Sequence, residues 1–583
     1  MEARERNSEP KGQALLMYFQ AVALDYDGTL ADRGKVSEKT LHALEKCKKS
    51  GRRLVLVTGR LLEDLREAFS EFSIFDRIVA ENGAVVFDPS NGQQRLIARE
   101  APASLVQRLQ ERGVEPLSVG KSIVATSEPN ETVALEVIRE LGLELHITFN
   151  KGAVMILPAG VDKGAGLAAA LADLQISPHN VVAVGDAEND SSFMQLCGCA
   201  AAVGNALQAL KLDADITLNR ESGEGVVELL EMLACKDAEL VPPQRRGIRL
   251  GVDREGQEVF LSAHQGGVLI TGSSGVGKSR LATALTEHMA KRNFAFCVFD
   301  PEGDYDALEN AVSVGNASAA PDIDEAMKLL RKANANVVIN TQFLGILERP
   351  GFFASLLPKL VEWRARTGRP HWLIIDEAHH LLPAERANIV QLLLPEVLPA
   401  AIFLTVHPEA MAPAALKTVQ TVIAVGDAAD EVFAQFCRAV GAARPKGITP
   451  PGPDEVLFWE PRSNATPRAV KIDKPIQAHK RHVRKYVEGD LGAERSFYFK
   501  GAKGALNLRA QNLALFMQIA EGVDDETWRF HRSAGDYSAW FRDAVRDSGL
   551  AEEAAQIEKD QALDAAASRK EIAAAIRRRF AAP

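Results

Sequence analysis

A chain of 583 residues is too long for one hydrophobic core, so two to four domains are expected. Its 46% hydrophobic and 25% charged residues have the balance of a soluble globular protein, and a net charge of −10 excludes a polycation that coats nucleic acid while leaving room for a local basic patch. Six cysteines scattered over this length read as reduced thiols of a cytoplasmic protein, not as a disulfide framework. Cys197-Gly-Cys199 is half of a metal-site spacing, but no second Cys/His pair lies near it, so buried thiols are the better reading. The opening MEARERNSEPKG is polar, without the apolar centre of a signal peptide, and no stretch reaches the ~18 apolar residues of a membrane span. A flexible N-terminus over 1–16, a cytoplasmic location and no membrane partner follow as expectations.

The first patterned region, 17–235, alternates strand and helix signals, which implies a parallel, doubly wound sheet. The apolar run Phe19–Leu24 ends at Asp25-Tyr-Asp27-Gly28-Thr29. Leu54–Val57 ends at Thr58-Gly59-Arg60, and Val181–Val184 ends at Gly185-Asp186-Ala-Glu-Asn-Asp190. Three strands therefore deliver carboxylates and a threonine to one sheet edge, where sites of open α/β sheets lie. Such groups, with Lys163 of Val161-Asp-Lys-Gly164, suit phosphoryl transfer, which needs in-line attack, charge neutralisation and a proton for the leaving group. Within the region, Val85–Phe87, Ser122–Ala125 and Leu143–Thr148 read as strands, and Ala103–Arg112 and Glu131–Leu141 as helices. Together they suggest a small inserted lid over the catalytic edge, with Asn150 and Lys151 as candidate contacts.

These four motifs resemble those of the haloacid dehalogenase superfamily, specifically phosphatases with a cap inserted after the second motif, over residues of about 20–232. The resemblance implies a core of 17–84 and 155–235 and a cap of 85–154, acting on a small phosphorylated substrate. It makes Asp25 the nucleophile and Asp27 the general acid and base, with Thr58 and Lys163 on the phosphate. It assigns Mg²⁺ to Asp25, Asp186 and Asp190 with the Tyr26 carbonyl, Asp27 belonging to the same acidic set.

After a linker over 236–247, with adjacent prolines, the hairpin Ile248–Gly251 and Glu258–Leu261 introduces a second α/β region, 248–465. Its strand Val268–Thr271 runs into Gly272-Ser273-Ser274-Gly275-Val276-Gly277-Lys278-Ser279-Arg280, followed by a helix with Leu281, Leu285 and Met289 on one stripe. This strand, loop and helix form a phosphate-binding loop for ATP: backbone N–H groups cradle the phosphates, Lys278 charges the terminal ones and Ser279 ligates Mg²⁺. Phe294–Phe299 ends at Asp300-Pro-Glu302-Gly-Asp304-Tyr305, and Trp372–Ile375 ends at Asp376-Glu377-Ala-His379. Asp376 then suits the Mg²⁺ shell and Glu377 the attacking water. Ala401–His407 brings Thr405 or His407 near as a γ-phosphate sensor, although His407 reads equally well as a loop histidine.

G-x-x-x-x-G-K-S, D-P-E-G-D-Y and D-E-A-H in this order resemble the HerA/FtsK branch of P-loop ATPases, which includes DNA-translocating motors. The resemblance implies a homo-oligomeric ring through the ATPase domain, a nucleic-acid partner and an arginine finger, for which Arg438 and Arg444 are candidates.

The remainder, 466–583, starts with a basic stretch, Lys471 to Lys485, that reads as a solvated linker or a phosphate-backbone contact. A strand at Ser496–Phe499 and helices over Leu506–Ala520, Asp525–Ser548 and Ala551–Phe580 are expected, with Trp528, Tyr537, Trp540 and Phe541 as a small core or docking face. The leading reading is a bifunctional phosphomonoesterase and ATPase. The alternatives are a nucleic-acid motor or regulatory ATPase with the first domain as sensor or effector, and a metabolic sugar-phosphate-type phosphatase with a regulatory ATP-binding domain.

Overall fold

The computed structural model describes residues 17–150, 152–264, 266–273, 276–306, 308–332, 335–394, 398, 400–463, 465–473, 491, 495–501, 506–545 and 547–580. Its first layer is an eight-stranded sheet in the order Ile216–Thr217, Cys199–Ala202, Val181–Gly185, Ala21–Asp25, Arg53–Val57, Arg77–Ala80, Val85–Phe87, Gln94–Leu96. The first six strands are parallel and the last two antiparallel. The central strand has burial on both faces along its whole length, which is why it reads as a continuous apolar run. Its neighbours are the other two motif-bearing strands, so the chain reverses direction of winding at Ala21–Asp25 and opens the site crevice there.

A second, four-stranded antiparallel sheet orders Ser118–Val119, Val124–Ser127, Ala153–Pro158 and Leu145–Asn150, with helices Ala103–Glu111 and Glu131–Glu140 packed on it through Leu105, Leu109, Ala134 and Val137. The boundaries expected at 85 and 154 therefore move. Val85–Phe87 extends the large sheet by pairing with Arg77–Ala80, and Ala153–Pro158 belongs to the small one. The reason is that Val85–Phe87 is buried throughout and can satisfy its backbone only by joining the edge beside it.

The third layer is an eleven-stranded sheet. Its parallel part runs Val419–Val425, Gly267–Thr271, Ala401–Thr405, Trp372–Ile375, Phe296–Asp300, Val337–Asn340, Val312–Val314, and an antiparallel wing continues from Val419–Val425 through Glu455–Trp459, Arg468–Ile472, Gly247–Asp253 and Glu258–Ser262. One strand, Ala401–Thr405, separates the phosphate-loop strand from the Asp376 strand. Arg468–Ile472 completes this sheet, so the domain ends some residues beyond the expected 465.

The two large sheets abut at their amino-terminal edges. His179 stacks on Phe294 with ring centroids 4.0 Å apart, and its Nε2 bonds to the Arg292 carbonyl at 2.8 Å. His371 Nε2 bonds to Ser177 Oγ at 3.0 Å, Arg369 Nη2 donates to the Gln175 carbonyl, and Gln20 Nε2 donates to the Ala365 carbonyl. One continuous apolar cluster runs from Val22 and Val182 to Ile270 and Leu285. Strands leave this contact in both directions, five residues long in each sheet, so each carries its acidic terminus about 16 Å away. The two acidic edges consequently lie on opposite sides of the pair.

The C-terminal module differs most from expectation. Leu508–Ala510 is a strand paired with Phe497–Phe499, and helix Leu513–Gly522 begins only after the Asn512 cap. Gly535, at φ +72°, splits the next segment into Asp525–Ala534 and Asp536–Asp543. A break after Lys559 divides the closing segment into Ser548–Lys559 and Ala565–Phe580. Trp528, Tyr537, Trp540 and Phe541 form its core, with Trp528 and Tyr537 stacked at 4.3 Å. The N-terminus over 1–16, Lys151, the side chain of Asn150 and most of the basic stretch, 474–485, lie outside the described residues. All six cysteines are free, Cys197 and Cys199 being buried. Among the described residues no helix is long and apolar enough to cross a membrane.

Candidate active sites

At the edge of the first sheet, Asp25 ends its strand with 4% exposure, and Asp186 and Asp190 follow the neighbouring one at 2% and 0%. One carboxylate oxygen from each of the three lies within 4.8 Å of the others. Lys163, the first residue of helix Lys163–Leu174, reaches into them, with Nζ 2.6 Å from Asp25 Oδ1 and 2.5 Å from Asp190 Oδ1. Asp162 caps that helix by accepting the Ala165 N–H, which holds the lysine in place. Asp190 Oδ2 also accepts the backbone N–H groups of Asp186 and Ala187, and Thr29 donates to Asp186 Oδ1 at 3.1 Å.

Burial, then the charge of Asp190, pushes Asp25 up to about 8 despite Lys163. Burial works against the Lys163 ammonium, but Asp190 and Asp25 outweigh it and its pKa rises. Three buried carboxylates against one ammonium leave the cluster two negative charges in excess when all are ionised, an arrangement that a divalent cation balances. The donor set thus fits a divalent cation such as Mg²⁺, which Asp25, Asp186 and Asp190 would hold.

Asp27 does not join this set. Its carboxylate is held by Arg60 in a two-pronged pair, Nε to Oδ2 and Nη2 to Oδ1, both at 2.6 Å. Gly28, at φ +86°, turns the chain directly after Asp27, whose carboxylate meets Arg60 of the second-motif loop. Thr58 is fully buried beside it, its Oγ1 accepting the Arg60 N–H. Sequence reasoning recorded Arg60 without giving it a role; the available signal was an arginine three residues after a strand that lies beside the aspartate-bearing one.

The small sheet closes over this edge. Glu81, buried, accepts the N–H groups of Lys121 and Ser122 at 3.1 and 3.0 Å, and Met155 packs against Gly59.

At the edge of the second sheet, Gly277 at φ +104° starts helix Lys278–Lys291. Ser274 and Gly275 lie outside the described residues. Lys278 Nζ donates to the carbonyls of Gly272 and Ser273 at 2.9 and 2.8 Å, folded back onto its own loop. Ser279 is half-buried in the first turn, while Ser273 and Arg280 are exposed and Val276 packs on the core. Asp376 ends its strand at 5% exposure, its pKa driven well above the carboxylate range by burial, Asp304, Glu377 and Asp300. Glu377 sits at φ +42°, ψ +50°, a conformation a non-glycine residue adopts at a cost of about 1–3 kcal/mol and one that concentrates at functional positions.

Asp300 is the residue that sequence reasoning left without a function. Fully buried, it accepts the N–H groups of Glu302, Gly303, Asp304 and Tyr305, stapling the loop that brings Asp304 to Asp376; burial and Asp304 push it up to about 7. Of the two sensor candidates, Thr405 bonds to His379 Nδ1 at 3.0 Å and accepts the His407 N–H, whereas His407 is largely exposed and pairs with Glu409. Burial, with His380, His407 and Lys278 nearby, lowers His379 to about 4, so it is neutral at physiological pH.

Fold and site geometry define a phosphatase domain followed by an ATPase domain in one chain. A family model for haloacid dehalogenase-like hydrolases matches residues 22–141 and 123–230, and one for AAA ATPase domains matches 257–403. Relatives named phosphoglycolate phosphatase include one from Methanopyrus kandleri, 31% identical over 223 residues (36% of this chain, 96% of the relative). Another, from Archaeoglobus fulgidus, is also 31% identical over 223 residues (37% and 96%). A haloacid dehalogenase-like hydrolase from Bacteroides thetaiotaomicron is 19% identical with a TM-score of 0.33, covering 37% of this chain and 99% of its own. Through its first 230 residues the chain belongs to the haloacid dehalogenase-like hydrolases.

Proposed function

We propose that the chain is a bifunctional enzyme: a Mg²⁺-dependent phosphomonoester hydrolase working through an aspartyl-phosphate, joined to an ATP-hydrolysing P-loop domain. The observation that carries this reading is the pair of buried acidic clusters, each at the carboxyl edge of its own parallel sheet and each with its own lysine. In the first, Asp25 attacks phosphorus while Lys163 and Thr58 hold its oxygens. Asp27, exchanging its Arg60 pair for the substrate, protonates the leaving alcohol and then takes a proton from the water that cleaves the acyl phosphate. Asp25, Asp186 and Asp190 would hold Mg²⁺, which would supply charge neutralisation.

The small sheet and its helices act as the cap, admitting a small phosphorylated compound. The names of the archaeal relatives make phosphoglycolate the substrate to test first. Hydrolysis of phosphoglycolate and of a generic aryl phosphate, with Mg²⁺ and with a chelator, is the experiment. Faster Mg²⁺-dependent turnover of phosphoglycolate that disappears in Asp25→Asn supports the reading; hydrolysis kept in that variant sinks the nucleophile assignment.

In the second site, Glu377 takes a proton from the attacking water, Lys278 and the loop N–H groups hold the phosphates, and Ser279 and Asp376 suit Mg²⁺. The Asp300-stapled D-P-E-G-D-Y loop favours the HerA/FtsK branch, and with it a homo-oligomeric ring and a nucleic-acid partner. ATP turnover of the Asp25→Asn protein with and without double-stranded DNA tests this: strong stimulation supports a motor, and an unchanged rate favours a regulatory ATPase. Free cysteines support a cytoplasmic location.

A further inference from the structure

Between strands Arg77–Ala80 and Val85–Phe87 the chain makes a tight turn, Glu81-Asn82-Gly83, in which three successive residues are left-handed at φ +52°, +50° and +106°. Two of them carry side chains, a conformation that persists only where its surroundings over-determine it and that concentrates at functional sites. The surroundings here are the loops of the phosphatase edge. The Glu81 and Asn82 N–H groups donate to the Arg60 and Thr58 carbonyls at 2.9 and 3.1 Å, one on each side of Gly59. Asn189 Nδ2, from the loop that carries Asp186 and Asp190, donates to Asn82 Oδ1 at 3.0 Å. Gly83 lies so close to the start of the Lys163 helix that a Cβ there would stand 1.8 Å from the Asp162 carbonyl oxygen. The remaining contact leaves the large sheet. Glu81 is 1% exposed, and among the described residues its carboxylate meets no cation: Oε1 accepts the Lys121 N–H and Oε2 the Ser122 N–H. Both donors sit in the hairpin joining Ser118–Val119 to Val124–Ser127 of the small sheet, and a Cβ on the adjacent Gly120 would fall 2.6 Å from Glu81 Oε2.

We propose that Glu81 is a positioning residue of the phosphatase: its carboxylate seats the small sheet over the acidic edge, and its strained turn ties that seating to the loops of Thr58, Arg60 and Lys163. The inference rests on the phosphatase reading above. Glu81 acts through these neighbours and not on the reacting atoms. Strand Leu145–Asn150 of the small sheet lies against Glu188–Asp190, and Met155 lies on Gly59, so the seat of that sheet sets the room left for the alcohol part of a phosphomonoester. The same seat fixes Glu81, whose own N–H holds the Arg60 carbonyl, and Arg60 in turn holds Asp27. Bonds from N–H groups to a carboxylate are about twice as strong as neutral ones, which suits a single side chain that must hold two sheets together without a cation.

The test uses the full chain and two readouts, phosphatase kinetics on phosphoglycolate and on an aryl phosphate, and hydrogen exchange of individual backbone amides. Glu81→Gln keeps the shape but turns an N–H group towards one of the two donors. Exchange at Lys121 and Ser122 is expected to rise about tenfold or more while that of the Ala21–Asp25 strand stays as in the parent, which separates local unseating from unfolding. The phosphatase kcat is expected to fall about tenfold with it, since a small misplacement of a site's loops costs that much or more. Gly120→Ala, which crowds the carboxylate and leaves Glu81 in place, is expected to lower kcat by a similar factor in the parent but by less than about twofold in a Glu81→Ala background, because the two act through one contact. Parent-like kcat in Glu81→Gln overturns the proposal, and so does a Gly120→Ala effect of the same size in both backgrounds. If Asp25→Asn is inactive while Glu81→Gln is not, the phosphatase reading stands and only the role of Glu81 falls; a parent that turns over no phosphomonoester overturns both.

Discussion

The two catalytic edges contain the same ingredients in different states of readiness. In the phosphatase domain Lys163 already bridges two of its carboxylates, and the small sheet is joined to the large one through Glu81, so the polypeptide alone assembles this charge cluster. In the ATPase domain Lys278 is turned onto its own loop carbonyls, and its cavity borders a separate module. The difference shows where each site obtains its organisation. The first is built into one packed domain, its lysine and carboxylates already in contact. In the second, the lysine is held by its own loop and the cavity beside Glu377 is shared with the C-terminal module.

Substitutions can break this comparison, and the largest effect belongs to the pre-assembled site. Asp25→Asn is expected to lower phosphomonoester turnover by about 10⁴-fold or more while leaving ATP turnover unchanged, since the change is nearly isosteric and removes the attacking charge. Rates of both reactions on one preparation check it. Next, Trp528→Ala is expected to destabilise the C-terminal module by about 3–5 kcal/mol, because the side chain is fully buried in the aromatic core. The module's melting transition should then move down while phosphatase turnover persists.

Arg60→Ala is a finer probe. Losing the two-pronged hold on Asp27 is expected to lower phosphatase kcat about tenfold by loosening the acid's position, with little change in stability because both partners are partly exposed. The smallest effect belongs to the contact between the domains. His179 is buried and lowered to about 4, chiefly by burial, so the folded contact holds it neutral while an unfolded chain would protonate it near 6.5. Its stabilising contribution is therefore present above about 6.5 and is lost as pH falls towards 4. Melting curves over that window should show a decline that is reduced in His179→Gln.

Much of the two sheets was legible because parallel strands buried on both faces read as continuous apolar runs, and each functional one stops at an acid: Asp25, Asp186, Asp376. Residue pairs that meet only in three dimensions were not. Nothing in Thr58-Gly59-Arg60 says that Arg60 will take Asp27 instead of phosphate, and nothing in D-P-E-G-D-Y says that Asp300 will turn inwards to hold four N–H groups. Val85–Phe87 carries no local mark of the sheet it joins, since strand pairing is decided by the free edge beside it. Helical periodicity ran through Gly535 and Asp560 because alanine-rich and charged segments keep their pattern across a single-residue break. The back-to-back docking rests on His179, Phe294 and His371, each unremarkable in its own segment.

The most direct measurement of the central claim, that two separate hydrolytic edges face away from each other in one chain, is a crossed pair of steady-state rates. Phosphomonoester and ATP hydrolysis would be followed in full-length Asp25→Asn and Lys278→Ala. Each variant should lose its own reaction and keep at least about half of the other, as expected for edges separated by two strand lengths and a packed contact. Loss of both reactions in either variant, with the fold intact, would contradict separate sites and point to one shared phosphoryl-transfer centre.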